Sequence, residues 1–387
     1  MSKFLHPLRQ LDSSQIITLG FLTVILFGAV ILSLPICSAD FTFTPFVDSL
    51  FTATSAVCIT GLTAVSTAYH WNILGKLIIL MLIQIGGIGF MSMVTMLFIA
   101  VGKKITLKER IVIQESFNLS QRHGLVSFTI YIFKFSFVAE LIGAFFLSLR
   151  FIPQYGFVRG IFYGIFHSVS AFCNAGFDIL GNNSMVPYVG NVWINLVICG
   201  LIIAGGLGFV VWIDLRLSLI HYREHFKYFK MKRYLESLSL HTKIALISTF
   251  VLIFGGMTVI FILEFQNPLT LKSLPFSQKI LASFFQSVTL RTAGFATVDM
   301  ASLHQATQFF MSIIMFIGTA GGVKTVTFVI GLLYVRALMR GDENIHVFKR
   351  TIDDQIVKRA LTIMLISFAI ALTGLFILSI SEQADFI

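Results

Sequence analysis

A chain of 387 residues that is 56% apolar and 12% charged, with a mean hydropathy of +0.89, has too few charges to cover soluble domains, in which about a quarter of residues are charged. Its 41 Phe exclude intrinsic disorder. The net charge of +10 does not signal nucleic acid, because the Lys and Arg residues lie in short segments between apolar runs. What remains is an all-α, polytopic membrane protein.

In chain order, the first apolar run covers about 16–36. It is long enough to span, and only Lys3 and Arg9 precede it, so it reads as a helix that stays rather than a cleaved signal. A short, semi-polar stretch follows at 46–57, with Asp48, Thr52, Thr54 and Ser55 in it. The second long run is 73–101, followed by a cationic segment with Lys103, Lys104, Lys108, Arg110 and Arg122. The third run is 125–149, the next short stretch 157–173, and the fourth run 189–214. Residues 216–243 then hold seven Lys or Arg. The fifth run, 244–263, the short stretch 278–292 and the sixth run, 309–335, lead to a further basic segment at 336–359. The seventh run is 361–380.

Seven spans with three short inserts are therefore expected. All basic segments fall on one side if each long run crosses and no insert does, which places that side and the N-terminus in the cytoplasm. The inserts then enter from outside and return. Such backbone is tolerated at membrane depth only where it is buried in protein or lines a cavity.

Span, insert, span recurs three times. The inserts end in Ser55-Ala-Val-Cys-Ile-Thr-Gly61-Leu62, in Ser170-Ala-Phe-Cys-Asn-Ala-Gly176-Phe177, and in Thr289-Leu-Arg-Thr-Ala-Gly294-Phe295, one residue tighter. A second glycine cluster follows in the next span each time: Gly86-Gly87-Ile-Gly89, Gly205-Gly206-Leu-Gly208 and Gly321-Gly322. The repeats read as 1–124, 125–243 and 244–358, with 359–387 as the first helix of an incomplete fourth. A short helix ending at mid-membrane points its negative end at the centre, and the carbonyls after it can replace the hydration shell of an ion. Glycine allows the backbone angles that aim them. The loops carry no acidic rings, so carbonyl coordination of a weakly hydrated monovalent cation fits better than carboxylate coordination of a divalent one.

These motifs, with His167-Ser-Val-Ser-Ala-Phe, Gln286-Ser-Val-Thr-Leu-Arg and Thr319-Ala-Gly-Gly-Val-Lys324-Thr, resemble the Trk/Ktr/HKT superfamily of potassium transporters, and in particular the Ktr-type membrane subunit, over essentially the whole chain. The resemblance implies four helix–pore loop–helix repeats around one pore, a homodimer with one pore per subunit, and a cytosolic ring of nucleotide-binding regulatory subunits. It implies a potassium filter at Thr60, Gly61, Asn174, Ala175, Gly176, Thr292, Ala293 and Gly294. Potassium is then the transported substrate and sodium a candidate activator, with no cofactor in the chain. Glycine in all three loops resembles the potassium-selective members, since serine in the first loop is associated with sodium-permeable plant relatives. The resemblance also implies an intramembrane gate at Gly318, Thr319, Gly321, Gly322 and Lys324, here in a stretch shorter than the family usually has. A fourth loop glycine is expected at about residue 410, beyond Ile387, with the family's last helix and its arginine.

Other residues carry alternatives. Lys324 lies in a span and is functional by default, against a snorkelling side chain. Arg291 either braces its loop or sets the field at the outer mouth. Cys58 and Cys173, at equivalent positions, read as packing rather than as metal or redox chemistry, and the four Cys have no CxxC spacing. Asp178 and Asp299 either enrich cations at the mouth or are solvated. Glu140 and Lys134 read as structural, paired with each other or facing other helices. The stretch with His221, Tyr222, Arg223, His225, Lys227, Tyr228, Lys230, Lys232, Arg233 and His241 suits anionic headgroups or a docking partner. A membrane enzyme lacks support, with no HExxH, nucleophile elbow or phosphate loop. A copy that does not conduct and only assembles with a full-length subunit is the alternative to a working transporter.

Overall fold

The computed structural model describes residues 12–101, 111, 124–225, 231–318, 325–342, 345–348 and 350–381. It is almost entirely helical, and falls into two compact units. The first holds residues 1–205 with 293–295; the second holds 206–292 and 296–387.

The first unit begins with α1 (Ser13–Ser33), opened by Asp12, whose backbone N–H donates to Gln15 Oε1 at 3.0 Å. A turn at Pro35–Cys37 leads to the short helix α2 (Phe46–Cys58). α3 (Ile73–Ile88) starts at Asn72, whose Oδ1 accepts the Gly75 amide at 3.0 Å and whose Nδ2 donates to the Ile36 carbonyl at 2.6 Å. One side chain thus caps a helix and ties it to the preceding turn. α4 (Phe90–Ala100) follows at 99° to α3. α5 (Leu125–Tyr155) runs for 31 residues, about 46 Å at 1.5 Å per residue, ample for a bilayer crossing. Gly156, at φ 81, reverses the chain into the short helix α6 (Phe157–Phe172). α7 (Val192–Gly206) is the last helix that starts in this unit.

The α5–α6 hairpin is packed through small residues. A Cβ on Gly160 would lie 2.5 Å from Ile152 Cα, and one on Gly164 would lie 2.9 Å from the Ala144 carbonyl oxygen. One further turn along α6, Ser168 Oγ donates to the Glu140 carbonyl at 2.6 Å, and Gly143 leaves the room it needs. Small residues four apart let membrane helices approach to backbone contact.

The second unit contains α8 (Phe209–His225), α9 (Met231–Ser237), α10 (Leu240–Glu264), the short helix α11 (Phe276–Thr289), α12 (Gln305–Phe316), α13 (Thr325–Arg340) and α14 (Asp354–Ser381). Ser239 caps α10, its Oγ accepting the Thr242 amide at 3.2 Å. The α10–α11 pair repeats the α5–α6 contact: Ser287 Oγ donates to the Ile253 carbonyl at 2.6 Å, opposite Gly256. β1 (His346–Val347) and β2 (Arg350–Thr351) form a small antiparallel hairpin between α13 and α14. Ile330, Ala337, Ile345, Ile352, Val357 and Ala360 pack there into a buried cluster.

α1, α5, α10 and α14 are long and apolar enough to cross a membrane. Many of their large apolar side chains, such as Phe27, Phe137, Phe250 and Phe376, are exposed, as lipid-facing surfaces require. The second, fourth and sixth apolar runs are not straight spans as expected. α3 gives way to α4 at Gly89 (φ 89), and α7 to α8 at Gly208 (φ 84). α12 ends at Phe316, with Ile317 and Gly318 outside any helix. Positive φ is incompatible with continuing a right-handed helix, and glycine alone takes it at little cost.

Candidate functional site

α2, α6 and α11 each end in a loop with the same backbone pattern. Ile59 (φ 59), Asn174 (φ 57) and Thr292 (φ 66) stand two residues before Gly61 (φ 74), Gly176 (φ 70) and Gly294 (φ 81). Left-handed backbone at two β-branched residues, Ile59 and Thr292, is held only where the surroundings over-determine it. In an extended strand successive residues face opposite sides; a change of hand at every second residue breaks that alternation.

Three loop glycines meet within the first unit. A Cβ on Gly61 would fall 2.7 Å from the Ala175 carbonyl oxygen and 3.4 Å from Gly176 Cα. A Cβ on Gly176 would fall 2.6 Å from both the Ala293 carbonyl oxygen and Gly294 Cα, and one on Gly294 would fall 2.9 Å from Gly176 Cα. The carbonyls of Ala175 and Ala293 thus each face the glycine of another loop. No side chain fits at these three positions.

The loop polar side chains are committed elsewhere. Thr60 Oγ1 donates to Ser55 Oγ at 2.8 Å, and Thr292 Oγ1 to the Arg291 carbonyl at 2.6 Å. With the Asn174 amide assigned by its neighbours, which are carbonyl acceptors, its nitrogen donates to the Ile202 carbonyl of α7 at 3.2 Å and to that of Ala171 at 3.1 Å. What these residues offer a ligand is backbone oxygen. The loops are anchored by matching bonds. Thr60 N–H donates to the Ser55 carbonyl at 3.0 Å, and Ala175 N–H to Ser170 at 2.7 Å. Past the glycines, Ile179 N–H donates to His167 Nε2 and Thr297 N–H to Gln286 Oε1, both at 3.4 Å. Buried His167 and Gln286 thus hold the outgoing strands of the second and third loops from the same place in α6 and α11.

The second glycine clusters serve as the floor for these helices. A Cβ on Gly86 would sit 2.2 Å from the Val57 carbonyl oxygen, and one on Gly205 would sit 1.7 Å from that of Phe172. Val57 and Phe172 both lie four residues before a loop glycine. The C-terminal carbonyls of α2 and α6 therefore rest directly on α3 and α7. Sequence reasoning did not single out Ile59, Val57 and Phe172, because an apolar side chain says nothing of the backbone geometry it carries; the only signal was their fixed offset from Gly61 and Gly176.

The remaining expectations divide. Cys173 is buried against Gly87, whereas Cys58 is exposed. Arg291, one residue before Thr292, is buried, only 1% exposed. The Asp178 carboxylate is largely enclosed beside Leu180, Gly181 and Ser184, and Asp299 accepts Ser302 Oγ at 2.5 Å within its own turn. Glu140 and Lys134 do not pair: Lys134 is exposed, and the Glu140 carboxylate receives Gln84 Nε2. Residues 134 and 140 are too far apart on one helix to share a face at i+3 or i+4. In the basic stretch, Tyr222 is buried edge-on to Tyr234, at 6.2 Å, while His221 and Arg223 are exposed. Of the gate residues only Gly318 is described; Thr319, Gly321, Gly322 and Lys324 lie outside the described residues, as do Lys3, Arg9, Lys103, Lys104, Lys108, Arg110, Arg122, Lys227, Tyr228 and Lys230.

The family model described as TrkH, cation transport protein, matches residues 3–386. The potassium/sodium uptake protein NtpJ of Enterococcus hirae is 42% identical over 379 residues, covering 97% of this chain and 80% of that protein. The Ktr system potassium uptake protein B of Bacillus subtilis is 41% identical over 380 residues, with 96% and 81% covered. Its counterpart from Vibrio alginolyticus is 37% identical over 377 residues, with 96% and 80% covered. The crystal structure of the potassium transporter TrkH from Vibrio parahaemolyticus shares the fold, with a TM-score of 0.61 at 20% identity over 89% of this chain and 68% of that one. The sequence match and the shared fold agree: this chain is a membrane protein of the TrkH family of cation transport proteins.

Proposed function

We propose that this chain carries potassium across the cytoplasmic membrane through a filter of backbone carbonyls at Thr60-Gly61, Asn174-Ala175-Gly176 and Thr292-Ala293-Gly294. One observation carries the reading. Gly61, Gly176 and Gly294 meet with the Ala175 and Ala293 carbonyls turned toward them, while the neighbouring Thr and Asn side chains are bonded away. Uncharged oxygens in such an arrangement replace the water of a weakly hydrated monovalent cation. The C-terminal ends of α2 and α6 add negative potential beside their loops. The potassium uptake named for three relatives supports the choice of ion.

The chain is organised as repeats at 1–124, 125–243 and 244–358, with 359–387 opening a fourth. Its N-terminus is cytoplasmic, its assembly a homodimer, and its control comes from a cytosolic nucleotide-binding ring; sodium is a candidate activator. Gly318, Thr319, Gly321, Gly322 and Lys324 form the gate. A second reading, a non-conducting partner of a full-length subunit, is favoured by α14: from Leu361 onward none of its described residues is buried, so away from its contacts with Gly331 and Phe316 its surface is open to lipid or to another segment.

Rubidium uptake decides between them, in cells lacking their own potassium uptake and expressing this chain with and without a cytosolic regulatory partner. Uptake in either strain supports transport by this chain. A chain that reaches the membrane and gives none in both contradicts it and favours the second reading.

A further inference from the structure

A polar cluster lies against the start of the second loop. Gln84 of α3 donates through Nε2 to both carboxylate oxygens of Glu140 of α5, at 2.9 and 3.1 Å. The Cys173 thiol approaches Gln84 Oε1 at 3.9 Å and Glu140 Oε1 at 4.0 Å. Glu140 is 6% exposed. A carboxylate in a membrane helix is costly, and a functional role is the default hypothesis for it.

The position of this carboxylate is specific to the second loop. The backbone carbonyl of Glu140 receives Ser168 of α6, and the equivalent carbonyl in α10, receiving Ser287 of α11, belongs to Ile253. Ile253 is buried, 4% exposed. The hairpin is therefore built equally well around an isoleucine, and its packing does not call for an acid. The acid does reach Cys173, the residue that joins α6 to Asn174. Gly87, one turn along α3 from Gln84, packs against the same thiol, where an added Cβ would fall 2.4 Å from Sγ. Two residues after Cys173, the Ala175 carbonyl faces Gly61.

We propose that Glu140 is a positioning residue for cation selectivity: paired with Gln84, it fixes Cys173 and through it the height of the Asn174 and Ala175 carbonyls. This rests on the filter reading above. The placement and number of coordinating carbonyls set which ion can exchange its water for them. A hydrogen-bonded carboxylate at the hinge of the loop resists their displacement better than dispersion contacts, which have no direction.

The test uses the purified full chain in detergent and the concentrations of KCl and NaCl that half-maximally raise its melting temperature, at ionic strength fixed with choline chloride. Wild type is expected to respond to potassium at about tenfold lower concentration than to sodium, and Glu140→Ile, with unchanged yield, to fall below about threefold. The reciprocal variant, Gln84→Glu with Glu140→Gln, rebuilds the pair in reverse and is expected to regain the preference. A merely structural role would lower yield or melting temperature while leaving the potassium-to-sodium ratio unchanged. A Glu140→Ile protein that keeps the wild-type ratio overturns the inference alone, as does a reciprocal variant that stays at the low ratio. Should Glu140→Ile not accumulate, Glu140→Gln decides: a ratio cut about threefold supports the role, and an unchanged ratio overturns it. Wild-type protein with no preference for potassium removes the filter reading and this inference together.

Discussion

Two adjacent glycines in α10 have opposite surroundings. A Cβ on Gly255 would meet nothing within 4 Å, while one on Gly256 would fall 2.5 Å from Ser287 Oγ. Gly255→Ala is expected to be neutral or to stabilise the helix by about 0.5–1 kcal/mol. Gly256→Ala must push out the Ser287 hydroxyl and break its bond to Ile253, a loss of about 1 kcal/mol with displacement of α11. Melting temperatures of the two variants in detergent check the contrast; equal values would refute the contact. Glu264, at the end of α10, is a second residue that composition does not reveal. Its carboxylate accepts Asn267 Nδ2 at 2.7 Å, Thr270 Oγ1 at 2.7 Å, the His304 amide at 2.9 Å and Thr307 Oγ1 at 2.5 Å. The donors come from both the segment before α11 and the start of α12. Glu264→Ala leaves them without an acceptor and is expected to cost about 3 kcal/mol or more, read as a fall in melting temperature and faster proteolysis of the 265–275 segment. An isolated acid at the end of an apolar run gave no sequence signal, because its partners are up to 43 residues away.

At the scale of elements, the short helices were legible and the breaks were not. The expected inserts at 46–57, 157–173 and 278–292 appear as Phe46–Cys58, Phe157–Phe172 and Phe276–Thr289. Their lower hydropathy and small polar residues separate them from true spans. The breaks after α3 and α7 escaped because hydropathy runs straight through Gly89 and Gly208. The glycine clusters were visible as repeating features, but not their use: Gly86 and Gly205 support the carbonyl ends of α2 and α6. Gly205→Ala, with its Cβ 1.7 Å from the Phe172 oxygen, is expected to move the second loop and abolish ion selectivity. Gly200→Ala, on the same helix with open space around it, should leave it unchanged. A potassium-to-sodium uptake ratio measured for both checks this, and an unaltered ratio in Gly205→Ala would contradict the supporting role. The hairpin of α5 and α6 depends likewise on Gly160 and Gly164. Gly164→Leu is expected to splay it and to reduce membrane yield, measured by blotting of isolated membranes, whereas loss of transport at full yield would point elsewhere.

At the scale of the molecule, the glycines common to the three loops were read from sequence as a filter, and the fold brings all three together. Carbonyl coordination was the expectation from sequence; what sequence could not supply is which carbonyls, those of Ala175 and Ala293, face the glycine of another loop. The Thr60, Asn174 and Thr292 side chains are bonded within their own surroundings, so what these positions offer a ligand is backbone oxygen, which no residue name encodes. The central claim is that these oxygens pass potassium. Rubidium flux into proteoliposomes containing the purified chain, with Gly176→Asp beside it, tests this most directly. The account predicts flux that potassium competes away and choline does not, and no flux through Gly176→Asp inserted to the same density. Equal flux through both proteins would contradict it.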